Sequence, residues 1–499
     1  MTVIAQLASL RAHQGQRRTT GLDDATLVGL ADTHPALQAA VDAALEEYAR
    51  IQADCGDLLD LDEDAQVQAV QDGFVNFYPQ DAVNPYVALA ARGPWIVTLK
   101  GAVLYDTGGY GMLGFGHTPE AVTEAMARPQ AMANIMTPSL SQLRFTKAIR
   151  AEIGHTRGDG CPYASFMCLN SGSESVGLAA RIADTNTKAM TDPGARHAGR
   201  KVKRVVVSGS FHGRTDRPAL YSDSSRKNYV KYLASYRGED SVIAIPPYDV
   251  EALEQVFQDA DANGWFIEAM FLEPVMGEGD PGRALPVGFY KAARELTKSH
   301  GSLLLVDSIQ AGLRAQGVLS VVDYPGFGDA EAPDMETYSK ALNAGQYPLS
   351  VLALNERAAG IYQRGTYGNT MTANPRALDV ACAVLGMLTP DLRQNIRDRG
   401  AEAVQKLGQL QSELGGLITK VQGTGLLFSC ELDPQFKGYG TGSTEEWLRE
   451  RGLGVIHGGA NSLRFTPCFD MGSDEVDLIV SMVKRALLEG PRQQQSAAA

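Results

Sequence analysis

The sequence predicts an α/β fold in which a large domain with a mainly parallel sheet, flanked by helices, precedes a smaller α+β C-terminal domain. The first observation is length, because 499 residues allow about three domains at roughly 150 residues each. Secondly, from about residue 165 short apolar, β-rich runs alternate with Ala-rich helical stretches, as in a parallel sheet with crossover helices. After residue 390 the pattern becomes a long amphipathic helix, two strands and a closing helix.

These patterns divide the chain into three predicted segments. Residues 1–85 are a helical N-terminal extension, in which a helix begins at Pro35 and keeps apolar residues at helical spacing as far as Tyr48. Residues 86–390 are the large domain and residues 391–499 the small C-terminal domain. The predicted strands are Phe166–Leu169, Arg204–Val207, Ala269–Leu272, Leu303–Val306, Leu349–Leu354, Leu426–Glu431 and Ser462–Thr466, and the last predicted helix is Ser473–Leu488.

The composition excludes several classes of function. With 45 Lys and Arg against 58 Asp and Glu, the formal net charge is −13, which argues against nucleic acid or an anionic membrane as a partner. The six cysteines include no C-x-x-C pair, which predicts a reducing compartment. The eight histidines form no cluster with cysteines, so we expect no metal site. We therefore expect small molecules or other chains as partners.

Localisation is expected to be cytoplasmic. No apolar run is long enough to span a membrane, and the N-terminal residues lack the apolar stretch of a signal peptide. An organelle transit peptide is the alternative, because residues 1–22 contain three arginines and no acidic residue.

A glycine and several hydroxyl side chains follow the first predicted strand of the large domain. Residues Asn170–Ser175 stand at the start of an Ala-rich helix, where backbone N–H groups and the positive end of the helix dipole attract an anion. This turn is a candidate phosphate site. An ordinary serine N-cap on a crossover helix is the alternative.

Two other strands end in residues that can hold a heterocyclic cofactor. Leu303–Val306 delivers Asp307 to the carboxyl end of a strand, where a protonated ring nitrogen would be a partner and Gln310 could bind a ring substituent. Lys340 follows a strand-like segment, and a partly desolvated lysine can form an imine with an aldehyde. The alternatives are an N-cap or internal ion pair at Asp307 and a solvated surface position for Lys340.

The Gly-rich loop Ser208–Thr215 adds an aromatic ring. It follows a strand directly and carries Phe211 where the ring could cover a flat cofactor, although a core position is the alternative. A lysine for an imine, an aspartate for a pyridinium, an aromatic cover and a helix N-terminus for a phosphate are together the groups that bind pyridoxal 5'-phosphate.

From about Asn84 to Glu489 the chain resembles the class III aminotransferases, the ornithine and 4-aminobutyrate type of the fold type I pyridoxal-phosphate enzymes. The matching motifs are Gly114–Pro119 for G-H-x-H-P, Asn170–Glu174 for N-S-G-[ST]-E, Phe211–Thr215 for [YF]-H-G-R-T, Glu273–Glu278 for E-P-[IV]-x-G-E, Asp307–Gln310 for D-E-x-Q, Lys340–Gly345 for G-K-[AG]-[LI]-x-x-G and Thr370–Pro375 for T-F-G-G-N-P.

The resemblance implies a role for each matching residue. Lys340 would be the Schiff-base lysine, and Asp307 would hold the pyridinium nitrogen. Glu273 would support the region of Asp307. The implied cofactor-binding residues are Gly172, Ser173, Phe211, His212, Asp307, Gln310, Lys340 and Thr370. The implied substrate-binding residues are Tyr110, Glu278 and Arg464.

Two implied roles concern partners of these residues. Thr370 would reach the phosphate of the neighbouring subunit, which implies a homodimer with active sites at the interface. Arg464 would bind a substrate carboxylate, and Glu278 would act as its gate by pairing with it in the other half-reaction.

The function that the resemblance implies is transfer of an amino group from an amino acid, or from an ω-amine, to a 2-keto acid by a ping-pong mechanism. Three departures from the family pattern leave alternatives open: Ser308 replaces Glu, Leu313–Gly317 replaces G-R-T-G, and Thr372–Ala373 replaces Gly-Gly. Within the same cofactor class, the alternatives are decarboxylation, racemisation or epimerisation, and an amino shift. A non-catalytic cofactor-binding or assembly protein is the alternative from another class.

Overall fold

The computed structural model describes residues 2–493, so the ends of the first and third predicted segments, residue 1 and residues 494–499, lie outside the described residues. The chain folds as two compact units. The first comprises the residues up to Glu120 together with those from Asp398 onward, and the second is Ala121–Arg397. The domain boundaries expected after residues 85 and 390 stay predictions.

The N-terminal part of the first unit, as far as the structure describes it, contains four α-helices and three strands. The third helix begins at Pro35, whose fixed φ suits the first helical position, and it buries Leu37 and Val41 on one face. This confirms the helix predicted there. The elements are α1 (Val3–Arg11), α2 (Asp24–Ala31), α3 (Pro35–Asp54), α4 (Glu63–Gln71), β1 (Ala88–Arg92), β2 (Trp95–Thr98) and β3 (Val103–Asp106).

The middle of the chain supplies seven strands and nine α-helices. The strands are β4 (Ser165–Leu169), β5 (Lys201–Val207), β6 (Val242–Ile245), β7 (Trp265–Leu272), β8 (Leu303–Asp307), β9 (Met335–Tyr338) and β10 (Ser350–Leu354). The helices are α5 (Glu120–Ala127), α6 (Leu140–Glu152), α7 (Gly172–Thr191), α8 (Asp216–Tyr221), α9 (Arg226–Tyr232), α10 (Val250–Ala262), α11 (Val287–His300), α12 (Glu356–Ile361) and α13 (Pro375–Gly386).

A seven-stranded sheet with the order β4-β10-β9-β8-β7-β5-β6 is the centre of the second unit. Strands β9, β8, β7, β5 and β6 pair in parallel, and β10 is antiparallel to both of its neighbours. Every residue of β8, β9 and β10 is buried, as expected of strands covered on both faces. The mainly parallel sheet predicted from the sequence is confirmed.

The C-terminal part of the chain contains α14 (Pro390–Glu413), β11 (Ile418–Thr424), β12 (Leu427–Leu432), α15 (Thr444–Glu450), β13 (Leu453–Gly454), β14 (Ile456–Gly458), β15 (Ser462–Phe465) and α16 (Ser473–Glu489). Strands β11, β12, β15 and β14 form an antiparallel sheet in that order, while β13 pairs in parallel with β3. Both strands and the last helix predicted for this region are confirmed. None of the helices in residues 2–493 is long and apolar enough to cross a membrane.

Candidate active site

The candidate phosphate turn connects β4 to α7. Ser171 is the N-cap of α7, since its hydroxyl accepts a hydrogen bond from the backbone N–H of Glu174 at 3.2 Å. A Cβ atom added to Gly172 would lie 2.6 Å from Ile309 Cδ1, so the turn closely contacts the segment that follows β8. The serine N-cap is therefore present, and it stands beside the Asp307 segment at a helix N-terminus that suits an anion.

The loop after β5 packs against the same turn. The hydroxyl of Ser173 accepts a hydrogen bond from the backbone N–H of Arg214 at 3.1 Å. Gly213 has a φ of +108°, and a Cβ atom there would collide with Ser173, so only glycine permits this approach. Phe211 is half-buried, with the guanidinium of Arg214 5.4 Å from its ring centroid. The turn and the aromatic loop thus form one surface.

Asp307 and His212 form a buried pair. His212 Nδ1 lies 2.8 Å from Asp307 Oδ2, and the two side chains are 0% and 5% exposed. The other oxygen of Asp307 accepts a hydrogen bond from the N–H of Ile309 at 3.2 Å. His212 Nε2 is buried and has no hydrogen-bond partner in the described chain. Because a buried polar atom without a partner is costly, this atom indicates a site that a ligand completes.

Glu273 and Gln310 lie next to this pair. The carboxylate of Glu273 accepts hydrogen bonds from the backbone N–H groups of Phe211 at 3.0 Å and Gly277 at 2.9 Å. Burial raises the pKa of Glu273 to about 7, although the nearby His212 acts in the opposite direction. A Cβ atom on Gly277 would collide with Gln310, whose Nε2 is a second buried polar atom without a partner in the described chain.

Lys340 follows β9 after a single residue. Its φ of 47° lies in the left-handed region, which is unusual for a residue with a side chain and is concentrated at functional sites. Ser339 Oγ and Asn343 Nδ2 both donate hydrogen bonds to the carbonyl of Leu349, at 2.7 and 2.9 Å, and so fix the turn on either side of the lysine. The lysine is half-buried, which favours the partly desolvated position over a fully solvated one.

Two of the predicted substrate residues contact each other within the first unit. Arg464 lies on β15, is 1% exposed, and places its guanidinium 5.4 Å from the ring centroid of Tyr110. The ring of Tyr78 stacks on Tyr110 with a centroid distance of 6.2 Å. Glu278 belongs to the second unit and is half-buried after β7. Its pairing with Arg464 therefore stays a prediction.

The segment that carries Thr370 is attached to the phosphate turn by a residue whose structural role the sequence did not reveal. Glu174 Oε1 accepts a hydrogen bond from Asn369 Nδ2 at 2.6 Å and another from the hydroxyl of Tyr367. Thr370 itself is exposed. Glu174 is the last residue of the N-S-G-[ST]-E motif, and its place in that motif was the only indication of its importance in the sequence.

A second buried carboxylate, also missed by the sequence analysis, lies on β9. Glu336 is 0% exposed, and its Oε1 accepts hydrogen bonds from Ser308 Oγ at 2.6 Å and from the N–H of Val321 at 2.8 Å. Its Oε2 accepts from the hydroxyls of Tyr163 at 2.6 Å and Ser320 at 2.5 Å. Burial raises the pKa of Glu336, and these hydrogen bonds act against that rise.

The residues present fit pyridoxal phosphate. A helix N-terminus, an aromatic ring and a buried aspartate–histidine pair lie in the second unit, and His212 and Gln310 each have a buried polar atom without a partner in the described chain. A strained lysine follows a strand of the same sheet. Within residues 2–493 no group of three or more His, Cys, Asp or Glu side chains could hold a metal ion. Fold and site together define a fold type I pyridoxal-phosphate enzyme.

Comparison with known proteins agrees with this class. A profile of the class III aminotransferases matches residues 77–487, and the chain belongs to that family. The acetylornithine aminotransferase of Neisseria meningitidis serogroup B is 28% identical over 421 residues, which cover 82% of this chain and 96% of that protein. The ornithine aminotransferase of Brevibacillus brevis is 27% identical over 430 residues, covering 83% and 96%. The protein is accordingly a pyridoxal-phosphate-dependent aminotransferase.

Solved structures show the same fold. The ornithine aminotransferase of Toxoplasma gondii has a TM-score of 0.72 at 24% identity, covering 88% of this chain and 98% of that one. Another structure of the Toxoplasma enzyme has partial occupancy of pyridoxal phosphate at its active site.

Proposed function

We propose that Lys340 is the residue to which the cofactor is covalently attached and that Asp307 is its ring partner. The observation that carries this proposal is the buried Asp307–His212 pair at the carboxyl end of β8, in which Nε2 of His212 has no partner in the described chain.

Each residue of the chain then has a physical task. When bound, pyridoxal phosphate supplies an aldehyde carbon that exchanges amines and a ring that accepts the electron pair of a broken bond. The carboxylate of Asp307 keeps a proton on the ring nitrogen by charge attraction. Gly172 and Ser173 bind the phosphate at the N-terminus of α7. Lys340 would remove a proton from the substrate carbon and return it, as a general base and acid.

The proposed amino donor is an amino acid that reacts through an ω-amine, and the acceptor is a 2-keto acid. The relatives are named acetylornithine, ornithine and succinylornithine aminotransferases, which supports this donor class. Arg464 binds the substrate carboxylate beside Tyr110, since a guanidinium can hold a carboxylate through two parallel hydrogen bonds. Glu278 pairs with Arg464 in the other half-reaction, when the reacting end of the substrate carries no carboxylate.

The proposed assembly is a homodimer in which Thr370 binds the phosphate in the partner's site. Thr370 is exposed, and so are the apolar side chains of Met371, Met136 and Leu140, which are 56%, 82% and 72% exposed in the chain. Exposed apolar side chains of this size indicate a surface that another chain covers. A fully active monomer in sedimentation at the assay concentration would contradict this assembly.

We place the enzyme in the cytoplasm. All six cysteines are free thiols, as is usual for proteins of a reducing compartment.

The decisive experiment identifies the modified lysine. The purified protein is reduced with borohydride and digested, and mass spectrometry locates the pyridoxyl adduct. We expect it on the peptide that contains Lys340, and Lys340→Ala should lose both adduct and visible absorbance. The control is Lys298→Ala, because Lys298 is an exposed lysine of the same unit, paired with Glu331 at 2.8 Å. An adduct on any other lysine contradicts the assignment.

A donor panel tests the reaction itself. Ornithine, acetylated ornithine, 4-aminobutyrate and alanine are each supplied with 2-oxoglutarate or pyruvate, and both keto or aldehyde product and CO2 are measured. We expect product from the ω-amines without CO2. Release of CO2, or racemised donor without amino transfer, would favour the alternative reactions.

A further inference from the structure

Glu336 is a buried carboxylate that has no place in the function described so far. It lies on β9 next to β8, with Glu336 opposite Val306 and Thr337 opposite Asp307 in the parallel register. Both of its oxygens are saturated by the four hydrogen bonds given above, all of them from neutral donors. Glu336 therefore needs no ligand to complete its hydrogen bonding.

The donors show what Glu336 holds in place. Ser308 directly follows Asp307, and Ser320 and Val321 lie at the far end of the segment that begins there. Glu336 thus ties together both ends of residues 308–321, the segment that also contains Gln310. Because both ends of the segment donate hydrogen bonds to the same buried side chain, these bonds restrain the segment.

Asp307 itself is restrained through the same bonds. The N–H of Ser308 donates to the carbonyl of Thr337 at 3.0 Å, while its hydroxyl donates to Glu336, so both donors of the residue after Asp307 are fixed to β9. Thr337 also contacts the phosphate turn, because its hydroxyl lies 2.5 Å from that of Ser175, which donates in turn to the carbonyl of Gly172 at 2.9 Å. Strand β9 therefore connects the aspartate to the phosphate turn.

Ser308 occupies a position at which the family motif has a glutamate. The family motif D-E-x-Q places a carboxylate in the chain directly after the aspartate, whereas this chain has a serine there that donates to a carboxylate on the neighbouring strand. A serine without that acceptor would leave the residue after Asp307 without its side-chain restraint.

We infer that Glu336 is a positioning residue, which acts through Ser308 to hold Asp307 and Gln310 in the orientation that binds the cofactor ring. This inference rests on the proposed roles of Asp307 and Gln310. It assigns Glu336 no contact with cofactor or substrate.

The test compares two serines that each donate one hydroxyl to Glu336. Ser308→Ala removes the bond next to Asp307, and Ser320→Ala removes the bond at the far end of the same segment. Equilibrium binding of pyridoxal phosphate to the apo-protein, kcat and KM, and thermal unfolding of the apo-protein are measured for both. If Glu336 only stabilised the fold, both variants would lose thermal stability and would bind the cofactor with equal affinity.

We expect Ser308→Ala to weaken cofactor binding by about five- to tenfold, which corresponds to the free energy of one ordinary hydrogen bond. We also expect a lower kcat with little change in the KM of the keto acid, because the ring partner and not the carboxylate site is disturbed. Ser320→Ala should lose similar thermal stability and keep its cofactor affinity within about twofold.

Equal cofactor affinities in the two variants would overturn the inference. Asp307→Asn, measured in parallel, separates this failure from failure of the proposed function. If Asp307→Asn loses cofactor affinity or turnover while the two serine variants bind the cofactor equally well, only the role of Glu336 is wrong. If Asp307→Asn binds cofactor and turns over normally, the proposed ring partner is wrong and the inference falls with it.

Discussion

Two buried carboxylates on neighbouring strands, Asp307 at the end of β8 and Glu336 on β9, have opposite surroundings. Asp307 pairs with a histidine whose other ring nitrogen has no partner in the described chain, and Gln310 nearby has another such atom. Glu336 accepts four hydrogen bonds that saturate both oxygens. Both carboxylates are 5% exposed or less, so burial alone does not separate them.

The difference shows how a ligand site and its support can be told apart in one sheet. Incomplete hydrogen bonding in a buried region costs free energy, and a ligand that supplies the missing partner removes that cost. Complete hydrogen bonding stabilises the fold and restrains the segments that donate the bonds. Substitutions in the Asp307 region should therefore reduce activity more than stability, and substitutions around Glu336 should reduce stability first.

The largest effect is expected for Asp307→Asn. The amide keeps the size and one acceptor of the carboxylate but not its charge, so the ring nitrogen is no longer held protonated. We expect turnover to fall on the order of 10²-fold or more. Thermal unfolding should change little, and near-normal turnover in a steady-state assay would show that the ring partner lies elsewhere.

Glu273, which lies next to the Asp307–His212 pair, should make the stability of this region depend on pH, because burial raises its pKa to about 7. Between its ordinary pKa near 4.5 and this value, the folded protein binds more protons than the unfolded chain. The free energy of unfolding of the apo-protein should thus fall as pH rises through this range, by on the order of 2–3 kcal/mol for this one group.

Urea unfolding at about pH 5 and about pH 8 measures this change, and Glu273→Gln should remove it, since the amide does not titrate. Parallel pH dependence in the wild type and the variant would show that Glu273 ionises at an ordinary pH in the fold.

Glu336→Gln should lower the free energy of unfolding by about 1–3 kcal/mol, because an amide nitrogen would then face a donor that needs an acceptor. The matched control is Glu413→Gln, since Glu413 is 56% exposed and pairs with the surface residue Lys484. The control should stay within about 0.5 kcal/mol of the wild type in urea unfolding. Equal losses in the two variants would contradict the supporting role of Glu336.

The smallest effect is expected for Tyr163→Phe. This change removes one hydroxyl from Glu336 on the side away from Ser308 and leaves three donors in place. We expect a loss of about 1 kcal/mol of stability with turnover unchanged within about twofold. A large loss of turnover at unchanged stability would mean that the two regions are not separable in this way.

Much of the site was accessible from the sequence because each of its parts is local. Apolar strand runs before Asn170 and Asp307, and a strand-like segment before Lys340, place these residues at or just after strand ends. β6 was not predicted, although its four residues are all apolar. The strands β1, β2 and β3 were also not predicted in the segment before the large sheet.

By itself, the sequence determined the fold class, the order of the motifs and the cofactor they imply, because apolar periodicity and short motifs lie in neighbouring residues. Only the tertiary structure decided that Ser308 donates to Glu336 and that Arg464 lies over Tyr110. Both contacts join segments distant in the chain, and they depend on strand register and packing. A shift of one residue in register turns a side chain to the opposite face of the sheet, and no local pattern records that choice.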